Sequence, residues 1–316
     1  MAANVTTDSS LSSVMKTYYD KTFLSKAEFE FIFQKGGQAR PQPKNEGKSV
    51  NFTRFDQLAV STTALTEGSN PSEVALSATT VSATLAEYGL TAKISRFLSL
   101  TDIDANNEEK ISVVGANMGR TLDTLTRNAL VTGATTQFAG AKAALSLVAS
   151  SDVFSASEIR KAVTALKKAD AIPYTDLPTA RAKWIGKVGP DTAYDLMADT
   201  TWINSDIYDN GAEKIYSGSL GALYGVMFYE SNNQYVDTDA GVSSAEVYSN
   251  LIHGKEAFGY VELDGDKPQL FIIPHTKIDS NNPAGRFSTA SWAGGYVCKV
   301  LKSTWIRNIK SGSTYA

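Results

Sequence analysis

The chain has 316 residues, of which 42% are hydrophobic and 20% charged, and its formal net charge is −3. This balance excludes wholesale disorder, and the near-neutral charge excludes a strongly basic surface that grips nucleic acid. The single cysteine, Cys298, excludes an intrachain disulfide. Because the length exceeds that of one average domain, we expect two domains or one large one.

The apolar runs of the sequence are short. The run from Leu270 to Ile273 is among the longest, and it is far too short to span a bilayer. The first residues have neither the basic start nor the apolar core of a secretory signal. We therefore expect no membrane contact, and a protein that is made and used in the cytoplasm.

Residues 1–46 form the first predicted segment, an N-terminal arm. It contains an aromatic stretch with Phe29, Phe31 and Phe33 and ends in a stretch rich in Gly and Pro at residues 36–43. The rings have no obvious local partner, so we expect them to pack on the body of the protein or on a neighbouring subunit. An ordinary helix docked on its own core fits the same pattern.

Residues 47–92 predict an extended β-hairpin loop. Apolar and polar residues alternate on both sides of a turn that contains Gly, Asn and Pro. An isolated two-stranded ribbon is only marginally stable in water, so we expect this one to lie on another surface. The arm and the hairpin together supply the candidate contacts between subunits: Phe29, Phe31, Phe33, Val50, Phe52, Glu67, Asn70, Val81 and Leu85.

Two helices follow in the sequence. The stronger signal covers residues 104–131, where apolar residues recur at spacings of three and four up to a stop at Gly133. A second helix is predicted from Ser155, with Ser155 and Glu158 as its capping box, to a stop at Pro173.

The rest of the chain alternates strands with one short helix and then becomes mostly β. A strand is predicted at residues 184–188 and a short helix at 190–196. Further strands are predicted at residues 223–229, 247–252, 258–263, 269–273 and 296–309. The fold class indicated by this order is α+β.

The residue types that usually carry catalysis are scarce. The chain has two histidines, His253 and His275, and neither has the spacing to Cys, Asp or Glu that a metal site requires. The segment GKS at residues 47–49 lacks the earlier glycine of a phosphate-binding loop, because Gln42 occupies that position. We therefore predict no catalytic residue, no cofactor and no metal, and we expect that the protein is not an enzyme.

Three stretches in this order resemble the N4-like major capsid family of tailed bacteriophages. They read TRNAL at residues 126–130, LYGVMFYESNN at 223–233 and IHGKEAFGYVEL at 252–263, and DSNNP follows at 279–283. The resemblance implies an HK97-like capsid fold with an N-terminal arm (1–46), an extended β-hairpin loop (47–92), a peripheral domain with a long spine helix (93–154 and 286–316) and a central mixed α/β axial domain (155–285).

The same resemblance implies a structural role in an icosahedral head shell. We expect hexamers and pentamers that enclose double-stranded DNA without binding it specifically, with a separate scaffolding protein, a portal and a possible cement protein as partners. Two alternatives stay open from the sequence: an encapsulin-like nanocompartment shell, and a phage tail or surface-binding module.

Overall fold

The structure is a computed structural model that describes residues 31–45, 47–56, 58–65, 67–68, 70–71, 73–101, 107–177, 182–202, 221–263, 268–278 and 281–315. Its strands are β1 (Gln38–Gln42), β2 (Ser49–Phe55), β3 (Ala78–Thr84), β4 (Ala86–Ser95), β5 (Thr135–Phe138), β6 (Trp184–Val188), β7 (Gly221–Leu223), β8 (Val226–Glu230), β9 (Val236–Asp237), β10 (Val247–His253), β11 (Phe258–Leu263), β12 (Gln269–Ile273), β13 (Phe287–Val300) and β14 (Ile306–Ser311). Its helices are α1 (Arg96–Thr101), α2 (Asn107–Gly133), α3 (Ala156–Lys168) and α4 (Pro190–Ala198). This mixture confirms the predicted α+β class.

The first sheet is organised around β13, a strand of 14 residues. β4 runs antiparallel along one edge of β13, while β11 and β12 share the other edge. β1 then pairs in parallel with β11. Residues 86–92, which the sequence places in the extended loop, are therefore part of this sheet. Residues 38–42, which it places in the arm, form one of the sheet's outer strands.

Helix α2 lies on this sheet, as its apolar period predicts. Its inward residues pack in one cluster with side chains of β12 and β13; the cluster contains Ile111, Val114, Met118, Leu122, Leu270, Ala290, Trp292 and Tyr296. The indole Nε1 of Trp292 also donates a hydrogen bond to Oδ1 of Asn117 at 3.0 Å. The helix ends at Gly133, as predicted. The first predicted residues of this helix, 104–106, lie outside the described residues.

The second sheet has the strand order β5, β14, β10, β6, β8, β7, with β9 added to β10. Side chains alternate between its faces along β8, as they do along any strand. Val226 and Phe228 join the main core, which includes residues of α3 and α4. Met227 and Tyr229 belong to a smaller cluster on the opposite face. Both helices therefore pack on the same face of this sheet.

The prediction of one strand over residues 296–309 is wrong. β13 ends at Val300, a turn follows, and β14 pairs with β10 in the second sheet. Trp305 fixes the turn, because its buried indole donates a hydrogen bond to the carbonyl oxygen of Ala169 at 3.0 Å. The apolar pattern runs through this change of sheet, so the sequence does not reveal it.

The prediction of one strand over residues 223–229 is also wrong. β7 and β8 are antiparallel, with Leu223 opposite Val226. The two residues between them, Tyr224 and Gly225, have φ angles of 52° and 79°. Positive φ at both central positions is the geometry of a two-residue hairpin turn. Tyrosine seldom adopts a positive φ, so the sequence does not predict a turn at this position.

The predicted capping box at the start of α3 does not form. Ser155 occupies the N-cap position, but its side chain makes no capping hydrogen bond. Its hydroxyl lies 2.9 Å from the hydroxyl of Ser157 instead. The Glu158 carboxylate accepts hydrogen bonds from Gln137 and Lys161. The backbone amide of Ala156 is held by the carboxylate of Asp199 at 3.0 Å, so a distant residue replaces the local cap.

A turn at residues 31–37 closes the seam between the two sheets. The backbone amide of Phe33 donates a hydrogen bond to Oδ1 of Asp123 at 2.6 Å. The ammonium group of Lys187 donates one to the carbonyl oxygen of Phe33, also at 2.6 Å. Asp123 lies on α2 and Lys187 on β6, so the backbone of one residue connects the helix of the first sheet to a strand of the second.

The two charged side chains of this seam, Asp123 and Lys187, are both buried. Asp123 has none of its surface exposed and Lys187 only 1%. Burial raises the pKa of Asp123 to about 6. Burial lowers the pKa of Lys187 to about 7, against the attraction of Asp123. The Lys187 ammonium also lies 4.7 Å from the centre of the Phe258 ring, a favourable arrangement for a cation.

Replacing Asp123 by Ala should lower the free energy of unfolding by about 3–5 kcal/mol, because the buried Lys187 ammonium loses its counter-charge and the Phe33 amide loses its acceptor. Urea unfolding of the purified subunit measures the loss. The matched control is Asp176→Ala, which removes an exposed carboxylate. Equal losses for the two variants would contradict the role assigned to the seam.

Stability should also depend on pH through Lys187. Its pKa is lower in the folded chain, so above pH 7 the unfolded chain binds more protons and the unfolding free energy increases with pH. The contribution of this group is about 1 kcal/mol per pH unit between about pH 7 and 9. Lys187→Met lacks this gain, so the stability difference between the two proteins should change across that range. A difference that is constant with pH would refute the lowered pKa.

Candidate subunit-contact surfaces

The predicted hairpin is present, and its base is held by the body of the chain. β2 and β3 pair antiparallel, from Ser49 opposite Thr84 to Phe55 opposite Ala78. The inner face of this ribbon is apolar and buried, and it packs on residues near the junction of β11 and β13. The resulting cluster contains Val50, Phe52, Ala83, Leu85, Val261, Val297 and Leu301.

Close backbone contact at Gly259 brings the hairpin onto the first sheet. A Cβ atom at this position would lie only 2.7 Å from the Phe52 ring, so a larger residue would push the ribbon away. The guanidinium group of Arg40 donates a hydrogen bond to the carbonyl oxygen of Asn51 at 2.6 Å. The base of the hairpin is therefore fixed by both apolar and polar contacts.

Polar side chains pair across the outer face of the ribbon. The hydroxyl of Ser82 donates to Oδ1 of Asn51 at 2.7 Å, and the hydroxyl of Thr79 donates to Oδ2 of Asp56 at 2.9 Å. The bond from Thr79, together with one from Arg54, lowers the pKa of Asp56. These pairs hold the strands in register up to Asp56, where a backbone bond to Ser77 closes the ladder.

Beyond this point, no part of the chain that the structure describes covers the hairpin. Every described residue from 58 to 80 is exposed. The segment nevertheless carries large apolar side chains that are between 53% and 87% exposed: Leu58, Val60, Leu65, Val74 and Leu76. We call residues 58–76 the hairpin tip. A concentration of exposed apolar side chains on a projecting loop is typical of a surface that is buried in an assembly.

A second set of exposed apolar side chains lies on elements near one end of the first sheet. Ile273 of β12 pairs with Thr289 of β13. The backbone amide of Arg96, at the start of α1, donates a hydrogen bond to the carbonyl oxygen of Arg286. Both β12 and α1 therefore lie beside the first residues of β13. The exposed apolar residues of α1, of β12 and of the segment after β12 are Phe97, Leu98, Phe271, Ile272, Ile273 and Ile278. In the described part of the chain, β12 pairs with β13 alone, so its outer edge is open to a further strand.

The nine predicted contact residues fall into three groups. Phe29 lies outside the described residues. Phe33, Val50 and Phe52 are buried within their own chain, while Phe31, Val81 and Leu85 are partly buried. Glu67 and Asn70 are exposed on the hairpin tip. Contact of any of the nine with a neighbouring subunit stays a prediction, and among the described ones only Glu67 and Asn70 are exposed.

The sequence does not mark the apolar residues of the hairpin tip as candidate contacts. Val60 and Leu65 stand among Ser, Thr and Ala, without the strict alternation that marks a strand. The feature that could have identified them as contacts is the presence of large apolar residues in a stretch that is otherwise rich in turn residues. Phe97 and Ile278 were missed for a related reason, because an isolated apolar residue beside a strand reads as part of the core.

Two groups that could support chemistry, the buried His253 and the partly buried Cys298, lie in structural positions. His253 is fully buried, and its Nδ1 lies 3.2 Å from the Tyr174 hydroxyl and 3.1 Å from the carbonyl oxygen of Gly254. Burial lowers the pKa of His253 well below its usual value. Cys298 lies on β13, and burial raises the pKa of its thiol to about 12, so the reactive thiolate is scarce at neutral pH.

Two further features of the described residues concern ligands and membranes. They contain no cluster of His, Cys, Asp and Glu suited to a metal ion. Among the helices in the described ranges, none combines the length and apolar character needed to cross a bilayer.

Comparisons with solved structures identify the fold. The chain is similar to the capsid of Ralstonia phage GP4, at 14% identity over 91% of this chain and 90% of that one, with a TM-score of 0.69. It is similar to the capsid of cyanophage Pam1, at 17% identity over 86% and 87%, with a TM-score of 0.64. It is also similar to the capsid of Helicobacter pylori bacteriophage KHP30, at 12% identity over 89% and 90%, with a TM-score of 0.61. The fold is therefore the HK97-like capsid fold, as the sequence resemblance implied.

Sequence comparison gives the family. No curated protein sequence matches the chain. The family described as phage capsid protein matches residues 17–261, which is 245 of 316 residues. This match favours the capsid reading over the nanocompartment and the tail module. The chain belongs to the phage capsid protein family, and it is a structural major capsid protein.

Proposed function

We propose that this protein forms the closed icosahedral shell of a phage head, as hexamers and pentamers whose hairpins overlap neighbouring subunits. The N4-like resemblance within the family stays a prediction. So does the division of labour in which the axial domain (155–285) approaches the symmetry axes and the peripheral domain (93–154 and 286–316) makes the outer contacts.

The observation that carries this proposal is the contrast between the base and the tip of the hairpin. The base buries Val50 and Phe52 on its own chain, whereas the tip exposes five large apolar residues. Burying one such side chain is worth about 1.5–3 kcal/mol. A neighbouring subunit that covers even two of them gains enough free energy to favour association, and repetition around a closed shell multiplies that gain.

The expected partners follow from the interpretation of this protein as a subunit of a phage head shell. We propose a separate scaffolding protein and a portal, a possible cement protein, and packaged double-stranded DNA that is not recognised by sequence. The net charge of −3 supports weak attachment to DNA, since strong attachment needs a large excess of Lys and Arg. As a capsid protein the chain is a component of the virion, and we propose that it assembles in the host cytoplasm. We propose that the protein is not an enzyme.

The hairpin tip can be tested by a matched pair of double variants. Val60→Ser with Leu65→Ser should raise the protein concentration needed for shell assembly by about tenfold or more, because each change removes apolar area from the contact. Light scattering and electron microscopy measure assembly, and urea unfolding checks that the subunit keeps its stability.

The control is Val242→Ser with Leu147→Ser, which removes the same residue types from exposed positions outside the hairpin. It should leave the assembly threshold unchanged. Equal thresholds for the tip variant and the wild-type protein would show that the tip is not a subunit contact.

A further inference from the structure

The exposed face of α3 is built entirely from small, hydroxyl-bearing and basic residues. At about 100° per residue, its exposed positions fall within an arc of roughly 120° and extend for about 16 Å along the helix. These positions are Ser157, Arg160, Lys161, Thr164, Lys167 and Lys168. The apolar residues Ile159, Val163 and Leu166 all face inward and are buried in the main core.

This face carries an excess of positive charge. It has four cations, and the one carboxylate of the helix is that of Glu158, which pairs with Lys161 at 2.7 Å. Three positive charges are left uncompensated within the described residues, on a chain whose overall charge is −3. The guanidinium carbon of Arg160 lies 5.8 Å from the centre of the Tyr224 ring, which orients the group without neutralising it.

Helix stability accounts for only part of this arrangement. Lys167 and Lys168 lie in the last turn, where positive charge interacts favourably with the helix dipole. Arg160 lies in the first half of the helix, where that interaction is absent. The charge of Arg160 therefore needs an explanation outside the helix itself.

The composition of the face favours a phosphate backbone over a protein partner. Protein interfaces usually have an apolar or aromatic centre, and this face has none among its six exposed positions. Lys, Arg, Ser and Thr are the residues that most often contact phosphate oxygens of DNA. Charge complementarity thus indicates the polyanion that a phage shell encloses.

We propose that the exposed face of α3 lies on the inner wall of the shell and contacts the phosphate backbone of the packaged DNA independently of sequence. This inference rests on the proposed shell function. Three uncompensated charges per subunit give a weak contact at each site. Repetition over the shell would still order the outermost layer of DNA, while the acidic remainder of the chain prevents tight attachment.

Binding of a labelled DNA duplex to the purified subunit, followed by fluorescence anisotropy, tests the contact. With three phosphates neutralised, the logarithm of the affinity should fall with the logarithm of the salt concentration at a slope of about −2.7. The neutral variant Arg160→Gln, Lys167→Gln, Lys168→Gln should lose most of this slope and bind about tenfold more weakly at low salt. The charge-retaining variant Arg160→Lys, Lys167→Arg, Lys168→Arg should bind like the wild-type protein.

A matched control removes three exposed lysines from other elements: Lys44→Gln, Lys277→Gln and Lys299→Gln. It should bind like the wild-type protein. If it loses as much affinity as the neutral α3 variant, the binding reflects overall charge and the proposal is overturned. Binding of polyglutamate, which stands for an acidic protein, is measured in the same way. If the neutral α3 variant no longer binds polyglutamate but still binds DNA like the wild-type protein, the proposal is also overturned, because the face would then bind an acidic protein.

Lysine acetylation of whole particles, read by mass spectrometry, tests the location. Lys167 and Lys168 should be modified several-fold less in DNA-filled particles than in particles emptied of DNA, while Lys44 changes little. Equal modification in both states would place the face away from the DNA. Electron microscopy of the neutral α3 variant separates this inference from the shell function, since closed shells should form whether or not α3 binds DNA.

Discussion

The unequal burial of the hairpin is the constraint on which the account of this protein depends. A two-stranded ribbon gains little stability on its own, so each part of it must lie on another surface or remain exposed. The base lies on the first sheet through Val50 and Phe52, and cross-strand pairs such as Ser82 with Asn51 keep its register. No described residue of the chain covers the tip, and its apolar side chains are exposed.

The seam between the sheets supports this geometry. The carbonyl oxygen of Phe33 accepts a hydrogen bond from Lys187 and its amide donates one to Asp123, so the chain leading into β1 is fixed to both halves of the molecule. β1 then pairs with β11, beside the site where the hairpin base is packed. Buried, charge-assisted hydrogen bonds fix this part of the chain in place at some cost in stability.

The sequence predicted local features well and long-range ones poorly. Periodic apolar residues identified α2, and alternation around a turn identified β2 and β3. The sequence does not predict the change of sheet between Val300 and Ile306, because apolar residues continue through it. It also does not predict that Asp199, more than 40 residues away, caps α3 in place of Ser155. The sequence also did not predict that Phe33 is buried within its own chain, because its partner Asp123 is distant in sequence.

Removal of the hairpin tip is the most direct measurement of the central claim. Replacing residues 58–76 by a short turn leaves the β2–β3 ladder and its packed base intact. We expect this variant to unfold like the full chain but to form no closed shells, in electron micrographs, at concentrations where the full chain does. Closed shells from the shortened chain, or an intact chain that remains a monomer at high concentration, would contradict it.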